Sequence, residues 1–145
     1  MAKQVFYDDV EVGMEIPSLV KTPSTRQLVM WAGASGDYYE IHYDKDFALK
    51  NGLPGIIVHG RLKAAFLGQL MTDYVGDEGS LKKLACNYRG MDFPGDVLTC
   101  SGKVIKKYQK EGEHYMECEI WLGNSKGERS TVGTAVVTLP SKAKP

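Results

Sequence analysis

The sequence predicts an α+β fold in which an antiparallel β-sheet wraps one buried α-helix. Three observations carry that expectation. Over residues 61–74, Leu62, Phe66 and Leu70 recur every four residues, and Leu67, Met71 and Tyr74 widen the stripe. Ala64, Ala65 and Gly68 cover much of the remaining surface, and a helix apolar over most of its circumference belongs in a core. Four strand-like runs then follow at 81–89, 97–107, 114–122 and 131–139. No helical stretch separates them, so consecutive strands are expected to pair antiparallel.

The first half justifies its elements in turn. Residues 12–19 read as a first strand punctuated by Gly13 and Pro17. Ser24 and Gln27, just after Pro23, form a capping-box pattern for a short helix through Leu28, Val29, Trp31 and Ala32. Gly33 with Gly36 ends that helix. A polar, aromatic run from Ser35 to Tyr43 follows, and Asp44 caps a second short helix over 45–50. Asn51-Gly52 and the turn at Pro54-Gly55 stop it.

In the second half the clearest strand is the third run. Met116, Cys118, Ile120 and Leu122 alternate with Tyr115, Glu117, Glu119 and Trp121, the period of a half-buried strand. Turn clusters at 93–96 and 123–127 bound these runs. A single wrapped sheet leaves open edges, so a homodimer, a larger even-numbered assembly or pairing with a sister chain is expected.

Composition narrows the function classes. The 145 residues fit one domain, 1–145, with a frayed Lys- and Pro-containing tail at 141–145. Eighteen basic residues balance eighteen acidic ones, which argues against a nucleic-acid partner. Cys86, Cys100 and Cys118 are odd in number and widely spaced in apolar stretches, so they read as reduced core residues. The amino terminus lacks an apolar leader, no stretch suits a membrane span, and a cytoplasmic location is expected.

The chemistry-bearing residues favour proton transfer. Three histidines without close ligand partners make a metal site unexpected, and neither a phosphate-cradling glycine loop nor a Gly-x-Ser-x-Gly elbow is present. Asp37 and His42, five residues apart, would not share a helical face. On a bent segment, which Gly36 permits, they can converge to hold a water and shuttle its proton. Read alone, Asp37 serves at least as well as a turn cap and His42 as a structural hydrogen-bonding group. His59-Gly60 stands where the buried helix begins. Its unpaired N–H groups make an oxyanion site, or Gly60 merely permits a tight turn into the helix.

Taken together, Ala34-Ser35-Gly36-Asp37-Tyr38-Tyr39-Glu40-Ile41-His42 and Gly55-Ile56-Ile57-Val58-His59-Gly60 resemble the MaoC-like (R)-specific enoyl-CoA hydratases and dehydratases, a family of hotdog fold. Phe93-Pro94-Gly95-Asp96-Val97-Leu98 and the ending Val132 to Pro140 extend the resemblance from about Val10 onward. It implies Asp37 and His42 as the catalytic pair, the Gly60 N–H as oxyanion donor, and Gly36, Tyr39 and His59 around the substrate. The implied reaction is syn hydration of a 2-enoyl thioester of coenzyme A or an acyl-carrier protein. No cofactor is implied beyond the coenzyme A of the substrate. A partner-dependent or non-catalytic subunit and a thioesterase are the alternatives.

Two departures from the family pattern stand out. Tyr39-Glu40 replaces its usual Asn-Pro, bringing a second carboxylate near the pair, and Gly68 stands where some members have serine, which hints at a wider acyl cavity. Tyr38, Tyr39, Tyr43 and Trp31 either line an acyl tunnel or pack the core. Arg89, Lys82, Lys83, Lys106 and Lys107 either meet phosphates or are solvated strand-end charges.

Overall fold

The wrapping of a sheet around α3 (Gly60–Val75) organises the molecule; the computed structural model describes residues 3–143. The strands are β1 (Glu15–Lys21), β2 (Ser80–Tyr88), β3 (Leu98–Lys110), β4 (Glu113–Gly123) and β5 (Arg129–Leu139). They form one antiparallel sheet in the order β1-β3-β4-β5-β2, and α3 contacts all five. This is the hotdog arrangement.

Pairing corrects one expectation. β3–β4 and β4–β5 are consecutive hairpins, but β2 pairs with β5 and not with β3. The β2–β3 connection is not a tight turn. It runs across the start of α3, where the Asp92 carbonyl accepts the Val58 N–H at 2.8 Å, and it delivers β3 to the far side of the sheet.

The core follows the predicted periods. Leu62, Phe66, Leu67, Leu70, Met71 and Val75 of α3 are buried. Against them β4 presents Met116, Cys118, Ile120 and Leu122, all fully buried, as two-residue alternation requires. Register shifts in β1–β3, at Pro17, and in β3–β4 near Ile105 bend the sheet around the helix. Pro17 is tolerated because β1 is an edge strand. At Gly133 a Cβ would lie 2.0 Å from the Ala85 carbonyl oxygen, so only glycine lets β5 and β2 approach this closely.

The helices of the first half begin and end on the anticipated residues. α1 (Thr25–Ser35) is capped by Ser24, whose Oγ accepts the Gln27 N–H at 3.1 Å. Gly36, in the left-handed region at φ 77°, ends it, whereas Gly33 lies within it. α2 (Lys45–Lys50) is capped by Asp44, which accepts the Phe47 N–H at 3.0 Å. In the tail, Ser141 Oγ and the Lys142 N–H donate to Asp8 at 3.0 and 2.7 Å; residues 144–145 lie outside the described residues. Among the described residues, no helix is long and apolar enough to cross a membrane.

Candidate active site

The segment after α1 is built from local turns. The Asp37 N–H donates to Ser35 Oγ at 3.2 Å, and Asp37 Oδ1 accepts the Tyr39 N–H at 3.4 Å. Such short side-chain bonds bend a chain without regular structure. A 3₁₀ turn over Glu40–His42 completes the reversal, so the chain bends here with Tyr39-Glu40 in place of the Asn-Pro that the resemblance leads one to expect. The turn drives His42 inward until it is buried, while Asp37 stays half-buried.

His42 Nδ1 lies 2.7 Å from the Ile57 carbonyl oxygen. Donation to that oxygen places the proton on Nδ1 and leaves Nε2 as the basic nitrogen of the neutral ring. The Ile57 N–H in turn donates to the Ile41 carbonyl at 3.0 Å, so one side-chain and one backbone hydrogen bond fasten the bend to the segment leading into α3.

His59 is the residue immediately before α3 and is fully buried. Its Nε2 lies 3.3 Å from the Asp37 carbonyl oxygen, and its ring stacks on His42 with centroids 3.8 Å apart. Burial, reinforced by the neighbouring His42, holds the His59 pKa below its ordinary value, so the ring is neutral at pH 7. Its Nδ1 is buried without a partner among the described residues.

Asp37, His42 and His59 each bring a ligand-type atom within 4.8 Å of the others. The two rings, however, are inclined by only 21°. Lone pairs in nearly parallel, stacked planes cannot both point at one ion, so joint coordination would require a ring to turn. The arrangement suits proton transfer better than metal binding.

Gly60 opens α3 beneath this cluster. The first intrahelical bond runs from the Lys63 N–H to the His59 carbonyl at 3.2 Å, leaving the N–H groups of Gly60, Arg61 and Leu62 ahead of the bonding ladder. His59 supplies no side-chain cap. A Cβ on Gly60 would meet the Tyr88 ring at 3.3 Å, so the glycine lets that ring pack closely against the helix start. Carbonyl oxygen gaining negative charge is stabilised at such a terminus.

The remaining candidates separate. Tyr39 is half-exposed with its ring edge-on to His42 at 6.2 Å, and Tyr38 and Tyr43 are exposed near it. Glu40 is exposed, and its charge adds to the upward shift of the Tyr43 phenol, which arises first from desolvation. Trp31 packs against the core. Lys107 bonds the Val10 carbonyl and sits over the Tyr7 ring, and Lys82 pairs with Glu113 at 3.5 Å. A Cβ on Gly68 would meet only Leu84 within 4 Å, at 3.8 Å.

A cleft of about 610 Å³ lies beside the bend, lined by Thr25, Tyr43, Lys45, Gly55, Ile56 and Phe93. Another of about 390 Å³ lies at the opposite end of α3, against Leu70 and Tyr74. Neither is lined by Asp37, His42 or Gly60. Sequence reasoning missed two features of the site, the Tyr88 ring on Gly60 and a buried Lys63–Asp92 ion pair at 2.9 Å. A lysine at a stripe position of an otherwise apolar helix was the available signal for the second.

Comparison with known proteins bears on the family and the fold. The family model described as "MaoC like domain" matches residues 9–121. Among curated proteins the chain is 30% identical over 136 residues to the fatty acid synthase beta subunit TOXC of Cochliobolus carbonum. The match covers 92% of this chain but 6% of that subunit's length. Among solved structures, the (R)-hydratase from A. caviae involved in PHA biosynthesis superimposes with TM-score 0.80 at 26% identity, over 91% of this chain and 98% of that one. A chain of the ChsH1–ChsH2 complex from Mycobacterium tuberculosis superimposes with TM-score 0.78 at 22% identity, over 89% and 98%.

Proposed function

The chain belongs to the MaoC-like dehydratase domain family, and we propose that it catalyses reversible syn addition of water to a 2-enoyl thioester. The observation that carries this reading is the convergence of Asp37 and His42 on the amino terminus of α3, through the His42–Ile57 and His59–Asp37 contacts. Hydration of an activated double bond requires a general base close to an oxyanion donor, and the approach of Asp37, His42 and His59 to within 4.8 Å of one another, with His59 next to Gly60, supports that reading.

In the hydration direction, Asp37 and His42 Nε2 hold one water molecule. Its oxygen attacks C3 of the enoyl group as its proton passes to the pair. Electron density moves through C2 to the thioester oxygen, which the Gly60 N–H and the α3 dipole stabilise. A proton from the pair then reaches C2 on the same face, giving an (R)-3-hydroxyacyl thioester. Dehydration reverses each step. The substrate carries coenzyme A or an acyl-carrier protein, and the chemistry needs no further cofactor. We assign such a reaction to fatty-acyl metabolism and propose a cytoplasmic location.

We also propose that the working form is an assembly. β2 is an edge strand of the sheet, unpaired on one side among the described residues, which favours pairing with a second copy or a sister hotdog chain. The likeness to a chain of a two-component complex supports a second reading, a subunit active only beside its partner.

Following crotonyl-CoA with the purified chain tests the proposal. Loss of the enoyl absorbance with no release of thiol is the expected result. Thiol release would identify a thioesterase, and no turnover by a folded chain would favour the partner-dependent subunit.

A further inference from the structure

Asp92 grips the chain on both sides of Gly60. Its backbone carbonyl accepts the N–H of Val58, two residues before the glycine, at 2.8 Å. Its carboxylate meets the ammonium of Lys63, three residues after it, at 2.9 Å. Lys63 Nζ also donates to the Gly90 carbonyl at 2.9 Å, and Ser130 Oγ donates to Asp92 Oδ2. The Ser130 carbonyl accepts the N–H groups of Arg89 and Gly90 at 2.8 and 3.1 Å. Tyr88, whose ring covers Gly60, begins the same segment. The start of α3, the β2–β3 connection and the start of β5 are thus tied together around one glycine.

The chemistry of this tie is unusual for its place. Lys63 and Asp92 are 2% and 0% exposed, and one Asp92 oxygen, Oδ1, is buried without a partner among the described residues. Removing two charges from water costs about as much as their attraction returns, and apolar residues of similar volume usually stabilise a core as well or better. What an ion pair adds over an apolar contact is direction. A lysine in the first turn also stands at the positive end of the helix dipole, the less favourable end for a cation. Fold stability alone therefore gives poor reason for this pair.

We propose that Lys63 and Asp92, with Ser130 behind them, are positioning residues that hold the Gly60 N–H where the substrate oxygen gains charge. The inference rests on the reading of Gly60 as oxyanion donor. A donor aimed at the transition state acts on kcat, whereas one that binds substrate and transition state alike acts on KM.

The experiment compares the wild-type chain with the near-isosteric, neutral double variant Lys63→Met/Asp92→Asn and with Ser130→Ala. It measures kcat and KM for crotonyl-CoA below the melting temperature of each protein, and the Gly60 amide signal by glycine-labelled NMR. The double variant is expected to lose about tenfold or more in kcat with KM within about twofold, as for a displaced oxyanion donor, and its Gly60 amide to shift and exchange faster. Wild-type kcat and an unmoved Gly60 amide in the folded double variant would overturn the inference. Should that variant fail to fold, Ser130→Ala decides, with a kcat loss of about two- to fivefold expected and no change overturning it. If the wild-type chain shows no hydration, the proposed function falls, while the Gly60 amide still reports whether the network positions it.

Discussion

The imidazoles of His42 and His59 stack with centroids 3.8 Å apart and planes inclined by 21°, while each ring reaches a backbone carbonyl of a different segment. His42 Nδ1 is at Ile57, and His59 Nε2 is at Asp37. The stack therefore joins the Asp37–His42 bend to the amino terminus of α3 at two points, and it does so between two buried rings that cannot both carry charge cheaply.

Stability follows from the charge state of His59. Burial first, and His42 second, hold its pKa below the ordinary histidine value. The unfolded chain thus binds a proton that the folded chain refuses. The sign is then fixed: the contribution is fully present above about pH 6.5 and is lost as pH falls through the lower folded value. Thermal melts between pH 7.5 and 5 are expected to show a falling melting temperature, and His59→Asn a flatter dependence. Equal slopes for the two proteins would remove His59 from this role.

His59→Phe separates stacking from tethering. Phenylalanine preserves a flat ring against His42 but cannot donate to the Asp37 carbonyl. Hydration is expected to fall by about tenfold or more, as when a general base is misplaced, in a protein that still melts cooperatively. Activity equal to the wild type would show that the bend holds itself.

Two glycines give opposite outcomes. In Gly133→Ala the new Cβ meets the Ala85 carbonyl oxygen at 2.0 Å, a backbone atom that cannot move aside. The cost is expected to reach or exceed the roughly 1–3 kcal/mol of an overpacked core. Gly68→Ala meets only Leu84 at 3.8 Å, and alanine favours a helix by about 0.8–1 kcal/mol over glycine. Urea melts are expected to show a loss in the first variant and a gain in the second. If Gly68 widens the acyl cavity, the second also loses activity on branched substrates before it loses activity on crotonyl-CoA.

The thiols are expected to be inert. Burial pushes Cys100 up to about 11 and Cys118 up to about 12, and raises Cys86 as well. Thiolate is the reacting form, so a disulfide reagent at pH 8 is expected to modify the native chain slowly and the urea-unfolded chain at once. Rapid labelling of Cys100 or Cys118 in the native protein would contradict the described core.

Much of this molecule was legible in its sequence, and the limits have physical causes. The apolar circumference of α3 and the alternation in β4 are local patterns, so periodicity finds them directly. Ser24, Gly36 and Asp44 mark helix ends because capping is also local. Asp37, His42 and Gly60 stand out by local pattern, and their roles come from resemblance; the structure adds that Asp37, His42 and His59 lie within 4.8 Å of one another. Long-range pairing was not legible. Nothing within 80–98 says that β2 pairs with β5, since that choice is made by the connection crossing α3. Lys63 was absorbed into the apolar helix because its partner, Asp92, is distant in the chain, and a lysine is ordinarily read as reaching solvent. The tight Gly133–Ala85 approach is likewise a property of two strands and not of either one.

Steady-state hydration of crotonyl-CoA by the wild-type chain, Asp37→Asn and His42→Ala tests the central claim most directly. The account predicts turnover by the wild type, and in each folded variant a loss of about 10²- to 10⁴-fold in kcat, the range of general acid–base catalysis. Wild-type turnover retained in either variant would contradict it.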